Sequence, residues 1–366
     1  VSQDAGDLKS NLKDTLDAID FGNLDEMTAD LGLGDMGIFK GESFTTKIGH
    51  ILDGTYAEDF PNVFSALVHM FGGVVLNILP MIVLIISIAI LGGFIQSLRA
   101  ESAGTGVRDI IHFVTYTAVV IIVLYAVTDV IVMAGATLRS IKLQMDIILP
   151  ILLTLMVTMG AAASSSVYQP AVALLSNGVM QIFTYVIMPI FIITMIFSVV
   201  GNLSATTKYD KFVGFFSSLY KWILGITFTV FLGFLSIQGI TAGTHDSISI
   251  RATKFTMSSY VPILGGYLSQ GFDLILASSL LVKNAVGIAG LYLMFSVILG
   301  PIIKIAVLSL GFKLAAAVTQ PLNDGRISNF LTSITKSFQM LIAILIGVAF
   351  MYFVTIGLII VTGNVI

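Results

Sequence analysis

Residues Leu299–Phe312 read LGPIIKIAVLSLGF, and in that stretch only Pro301 and Lys304 interrupt an apolar composition. The apolar run around it extends from about 285 to 317. A helix needs about 20 such residues to cross a hydrocarbon layer about 30 Å thick, so this run is long enough to span. Five more runs meet the same demand: 73–96, 110–134, 171–201, 219–241 and 338–361. The whole chain is 56% hydrophobic and 11% charged, with a mean hydropathy of +0.99, far outside the range of soluble domains. Strands alternating between lipid and lumen, as a membrane barrel requires, are absent from the pattern. The expected fold class is an all-α polytopic membrane protein with six to eight transmembrane helices.

The proline of the opening stretch belongs to a pattern. Pro80, Pro189 and Pro301 are 109 and 112 residues apart. Their contexts correspond: ILPMIVLIISIAIL from Ile78, IMPIFIITMIFSVV from Ile187 and LGPIIKIAVLSLGF from Leu299. Pro61 and Pro170 lie 19 residues before the next member of this set, and Pro150 and Pro262 lie 39 before theirs. After each proline-bearing run comes a basic loop and a second run, opening RDIIHFVTYTA from Arg108, KFVGFFSSLYK from Lys211 and RISNFLTSITK from Arg326. This spacing predicts three degenerate repeats of about 110 residues, each with a Pro-kinked helix followed by a second helix. The units expected are 61–140, 147–245 and 260–364, preceded by a separate region over 1–60. Neighbouring helices can satisfy the carbonyl a proline frees, so a repeated kink is tolerated.

Two apolar segments, 147–166 and 261–283, decide between six and eight spans. The matching part of the first unit, GESFTTKIGHILDGTYAEDF from Gly41, is too polar to cross. The two segments are therefore expected to be re-entrant or shallow. With six spans, eight basic residues fall inside (Arg99, Arg108, Lys208, Lys211, Lys221, Lys313, Arg326, Lys336) and five outside (Arg139, Lys142, Arg251, Lys254, Lys283). The positive-inside bias favours that arrangement over eight spans, for which the division is seven to six.

Charge separates the first 60 residues from the rest. They carry 13 acidic and 4 basic residues, a balance of −9, against +6 for the remaining 306. Leu8, Leu12, Leu16 and Ile19 recur there at helical spacing, which predicts an amphipathic helix lying on the membrane, on a partner or on its own membrane domain. The chain opens on Val1, as a chain trimmed by signal-peptide cleavage would.

Catalytic chemistry has little support. Cysteine is absent, which removes disulfides and thiol nucleophiles. The sequence GLGD at Gly32–Asp35 resembles one aspartate of an intramembrane protease but has no partner carboxylate at membrane depth, and acid/base chemistry of that kind needs two. No metal-binding or phosphate-binding signature occurs, and His50, His69, His112 and His245 are scattered. No catalytic, cofactor or metal site is expected, and the chain is not read as an enzyme. The one sharp feature is charge inside apolar runs. Lys304 occupies a position where the other units have Val83 and Ile192. An ammonium in lipid needs an acid or a wet cavity, and the available acids are Asp273 and Asp129. Lys304 is therefore a snorkelling side chain, half of a fixed pair, or part of a permeation path.

Three features together, DAGDLKSNLKDTLDAIDF from Asp4, GTHDSISIRATKF from Gly243 and the proline-framed helices, resemble the stage III sporulation protein AE family of endospore-forming bacteria. The resemblance covers essentially the whole chain and brings no site residues with it. It implies a multi-pass protein of the mother-cell membrane around the forespore, made with a cleaved signal sequence and encoded with seven companions. It also implies membership in a channel complex across the intermembrane space, with an ATPase and ring-forming proteins among the companions and a forespore membrane protein docking from the opposite side. The expected partners are those proteins and the lipid bilayer, with a homo-oligomer as a further form of assembly and nucleic acid excluded. Three readings follow: a component of the mother cell to forespore channel, a non-conducting platform for ring proteins, and an independent secondary transporter.

Overall fold

The computed structural model describes residues 44–53, 60–99, 105–203, 209–242, 265–321 and 325–362, together with Leu12, Leu16, Ile19, Phe21 and Gly22. Among the described residues the regular structure is entirely helical. This is what a long apolar chain must do, because hydrocarbon offers no partner to a backbone N–H or C=O. The elements are α1 (Phe44–Leu52), α2 (Phe60–Arg99), α3 (Thr105–Thr158), α4 (162–203), α5 (Asp210–Ala242), α6 (Gly265–Thr319) and α7 (Arg326–Val361). Six of them, α2 to α7, are long and apolar enough to cross a membrane. Among the described residues the candidate spans thus number six, within the expected range of six to eight.

The two ambiguous segments are not separate elements. Residues 147–158 continue α3, which reaches 54 residues, and 162–166 open α4. Residues 265–283 are the first part of the 55-residue α6. At ~1.5 Å per residue each of these helices is about 80 Å long, well over twice the hydrocarbon thickness. Helix α3 ends because Gly160 adopts φ 78°, a conformation glycine enters without penalty. Gly160 N–H donates to the oxygen of Val157 and Ala161 N–H to that of Met156, both at 2.9 Å. These are the paired bonds of a Schellman turn, and they satisfy carbonyls that a helix end otherwise leaves bare. The chain then reverses, and Ser165 Oγ donates back to the oxygen of Leu153 at 3.1 Å.

Helix α6 is the hub: it packs against α7, α3, α2 and α1. The most apolar windows of α6 and α7 are 50% and 56% buried, against 22% for α2 and for α5, which puts α6 and α7 at the centre and α2 and α5 at the periphery. Small residues set the helix registers. A Cβ on Gly311 would stand 2.8 Å from Ile82 of α2, one on Gly287 2.6 Å from Ile360 of α7, and one on Gly347 2.7 Å from Phe228 of α5. Close backbone approach of this kind is how membrane helices gain packing energy without a hydrophobic driving force. Phe312 of α6 stacks on Phe338 of α7 at 5.8 Å, and Tyr116 of α3 meets Phe330 edge-on at 5.7 Å.

Pro80 and Pro301 sit inside continuous helices. Pro189 differs, because α4 widens into π turns at Leu174–Val179 and Phe183–Ile187, the second ending two residues before it. A proline displaces the carbonyl four residues earlier, here Tyr185, and a π turn accommodates that loss by shifting the hydrogen-bond register. Helix α3 runs unbroken through 140–147, the boundary expected between the first two units.

The amphipathic stripe of the amino-terminal region packs against the membrane core through Leu12, Leu16 and Ile19. Phe21 meets Phe44 of α1 with ring centroids 5.7 Å apart. Phe44, Lys47 and Ile48 of α1 are buried, and Lys47 Nζ lies 5.8 Å from the centre of the Tyr292 ring on α6, within cation–π range. Leu8 and the Gly32–Asp35 stretch lie outside the described residues.

Candidate functional site

Helices α3 and α6 run antiparallel, and their register brings two charges together. A Cβ on Gly290 would stand 3.0 Å from Ile148. Fourteen residues further along α6, Lys304 Nζ lies 2.6 Å from Asp129 Oδ2 on α3. The sequence named two acids for Lys304, and the fold selects Asp129. Asp273 is on the same helix as Lys304, 31 residues away, so ~46 Å of helical rise separates them. The pair is not sealed in the core, since the Lys304 and Asp129 side chains are 34% and 48% exposed.

Asp129 belongs to an exposed face of α3 that alternates charged residues with Val132, Ala136 and Leu143. Residues 129, 132, 136, 139, 143 and 146 follow one another at spacings of three and four and are all exposed, so they line one side of the helix. That side carries Asp129, Arg139 and Asp146, and beside it Lys142 forms an i,i+4 ion pair with Asp146. Below Asp129 the same helix exposes apolar residues instead, including Ile110, Phe113, Ile121 and Tyr125.

A second lysine, unremarked among the flanking charges of the sequence, is the more deeply placed. Lys283 of α6 is completely buried. Its Nζ donates to the backbone oxygens of Ile359, Ile360 and Thr362 at 3.3, 3.1 and 2.7 Å. These carbonyls end α7, where the last turn has no intrahelical donors and the helix dipole is negative. An ammonium with three protons suits three such acceptors. Tyr168 of α4 completes the junction, its hydroxyl 2.8 Å from Thr362 Oγ1. Only the meeting of α4, α6 and α7 creates this site, and the one sequence signal is a lysine at the edge of an apolar run.

Among the described residues no group of three or more His, Cys, Asp or Glu could hold a metal ion. Residues 43–363 match the family described as stage III sporulation protein AE. The chain belongs to that family. One curated relative, stage III sporulation protein AE of Bacillus subtilis (strain 168), is 28% identical over 270 residues, which is 74% of this chain and 68% of the relative. No solved structure matches the chain. The stage III sporulation protein AE family is a sporulation family, and this member is a multi-pass membrane protein with six candidate spans among the described residues.

Proposed function

We propose that the chain is an integral membrane component of the channel, or secretion-like, complex that connects mother cell and forespore, and that it acts within an assembly. Family membership supports the sporulation role. The charged face of α3, with Asp129, Arg139 and Asp146 exposed on one side, supports the need for an assembly. Lipid tails cannot cover such a face without a large cost, so it turns to water or to protein. The acidic region over 1–60 would lie in the intermembrane space, where the companion proteins and the forespore membrane protein are reached. The Lys304–Asp129 pair acts as a register lock between α3 and α6, because each charge is already neutralised by the other.

A photo-crosslinker at Leu143, 54% exposed on the same face, tests this in sporulating cells. Crosslinks to companion proteins or to a second copy of the chain are expected. Products with lipid alone would contradict the proposal.

A further inference from the structure

Two side chains in the centre of the bundle have polar atoms that nothing in the fold satisfies. Gln144 of α3 is fully buried, and among the described residues neither its Oε1 nor its Nε2 has a hydrogen-bond partner; Tyr352 of α7 is fully buried, and its hydroxyl has none there either. They are neighbours by register. A Cβ on Gly290 of α6 would stand 3.0 Å from Ile148 of α3 and 3.6 Å from Ile356 of α7, so both isoleucines close on one point of α6. Gln144 and Tyr352 each lie four residues before those isoleucines, hence one turn along on the same helix faces. Both helices run in the same direction, opposite to α6, so the two polar groups share one layer. On α6 that layer holds Leu293 and Met294, both buried.

An unsatisfied amide or hydroxyl in an apolar interior is costly, and three such atoms in one layer call for a common ligand. It is not an ion, since this layer offers an amide and a phenol and no opposite charge. Lys283 is occupied by the end of α7 and Lys142 by Asp146. A buried water typically makes about three hydrogen bonds, which is the number of unpartnered atoms here. We propose that Gln144 and Tyr352 form an internal water-binding site between α3, α6 and α7. The water accepts from Gln144 Nε2, donates to Gln144 Oε1 and exchanges a hydrogen bond with the Tyr352 hydroxyl. This site ties α3 to α7 across α6 and does not depend on the sporulation channel reading.

Radiolytic hydroxyl-radical labelling of the full chain in detergent, carried out in oxygen-18 water, tests the site. A water held against Tyr352 generates radicals beside it, so Met294 should be oxidised several-fold faster than the equally buried Met156, and Tyr352 several-fold faster than the equally buried Tyr168, whose hydroxyl is already bonded to Thr362. Gln144→Leu should reduce the label at both. Tyr352→Phe should reduce it at Met294, which keeps a readout if the Gln144 variant accumulates poorly. Labelling of Met294 no faster than that of Met156, and of Tyr352 no faster than that of Tyr168, would overturn the proposal, as would labelling indifferent to both substitutions.

Discussion

Lys283 Nζ donates at 2.7 Å to the backbone oxygen of Thr362, 79 positions further along the chain, and so ties the hub helix α6 to the carboxyl end of α7. Three carbonyls depend on this one ammonium. Replacing it by methionine keeps most of the volume and regains the desolvation of the charge, but it orphans all three acceptors. Lys283→Met is expected to destabilise the bundle by about 2 kcal/mol, the scale of losing charge-assisted hydrogen bonds in a buried setting. Lys283→Arg is expected to be no better, because the site is fully enclosed. Thermal unfolding in detergent measures both, and a midpoint unchanged in Lys283→Met would show that the contact carries no weight.

The Lys304–Asp129 pair should behave differently. With side chains 34% and 48% exposed, it is far less enclosed than Lys283. Lys304→Met and Asp129→Asn should each reach near-normal membrane levels. Lys304→Asp should fail, because it sets two carboxylates against each other, and Asp129→Lys in the same chain should restore it. Protein abundance followed by spore yield reads each variant. Failure of the swapped pair, with both single neutral variants also inactive, would assign the lysine a role beyond register.

How much of this was legible in advance depends on which physical quantity decided each element. Span length is set by bilayer thickness, so the six apolar runs could be read directly. The stripe of Leu12, Leu16 and Ile19 could be read because helical period is a property of sequence. The continuity of α3 could not. Arg139, Lys142 and Asp146 look like a boundary between a span and a separate segment, yet a helix leaving the membrane has no reason to stop. That continuity also decides the partner of Lys304, because Asp273 is excluded once α6 is known to contain both. Lys283 was illegible for another reason: its acceptors are main-chain atoms, which every residue supplies.

Gly287 tests the close packing of α6 on α7. A methyl there would stand 2.6 Å from Ile360 Cδ1, so Gly287→Ala should cost about 1–3 kcal/mol, as overpacking does. Ile360→Ala in the same chain removes both close carbons, Cδ1 and Cγ1 at 2.6 and 2.7 Å, so the double variant should lose less than the sum of the single changes. Melting curves of the single and double variants provide the comparison, and additive losses would mean that the strain lies elsewhere.

Among the repeated prolines, Pro189 should be the most sensitive. It alone of Pro80, Pro189 and Pro301 follows a π turn, at Phe183–Ile187. Pro189→Ala restores an N–H that the widened turn is built to do without, and α4 should shift its register against α5. Membrane levels and complex formation are expected to fall further than for Lys304→Met. Equal levels for the two variants would count against a structural role for the proline.

The central proposal is that this membrane protein acts as one component of a channel assembly, with conduction belonging to the assembly. Flux of a small fluorescent solute through vesicles tests it most directly, with the chain reconstituted alone and together with its companion proteins. The account predicts flux from the assembled complex and little from the chain alone, with loss of flux when Arg139 and Asp146 on the exposed face of α3 are replaced together by leucine. An assembled complex that passes nothing would contradict conduction and leave a platform. Saturable uptake by the chain alone would contradict the assembly and identify a transporter.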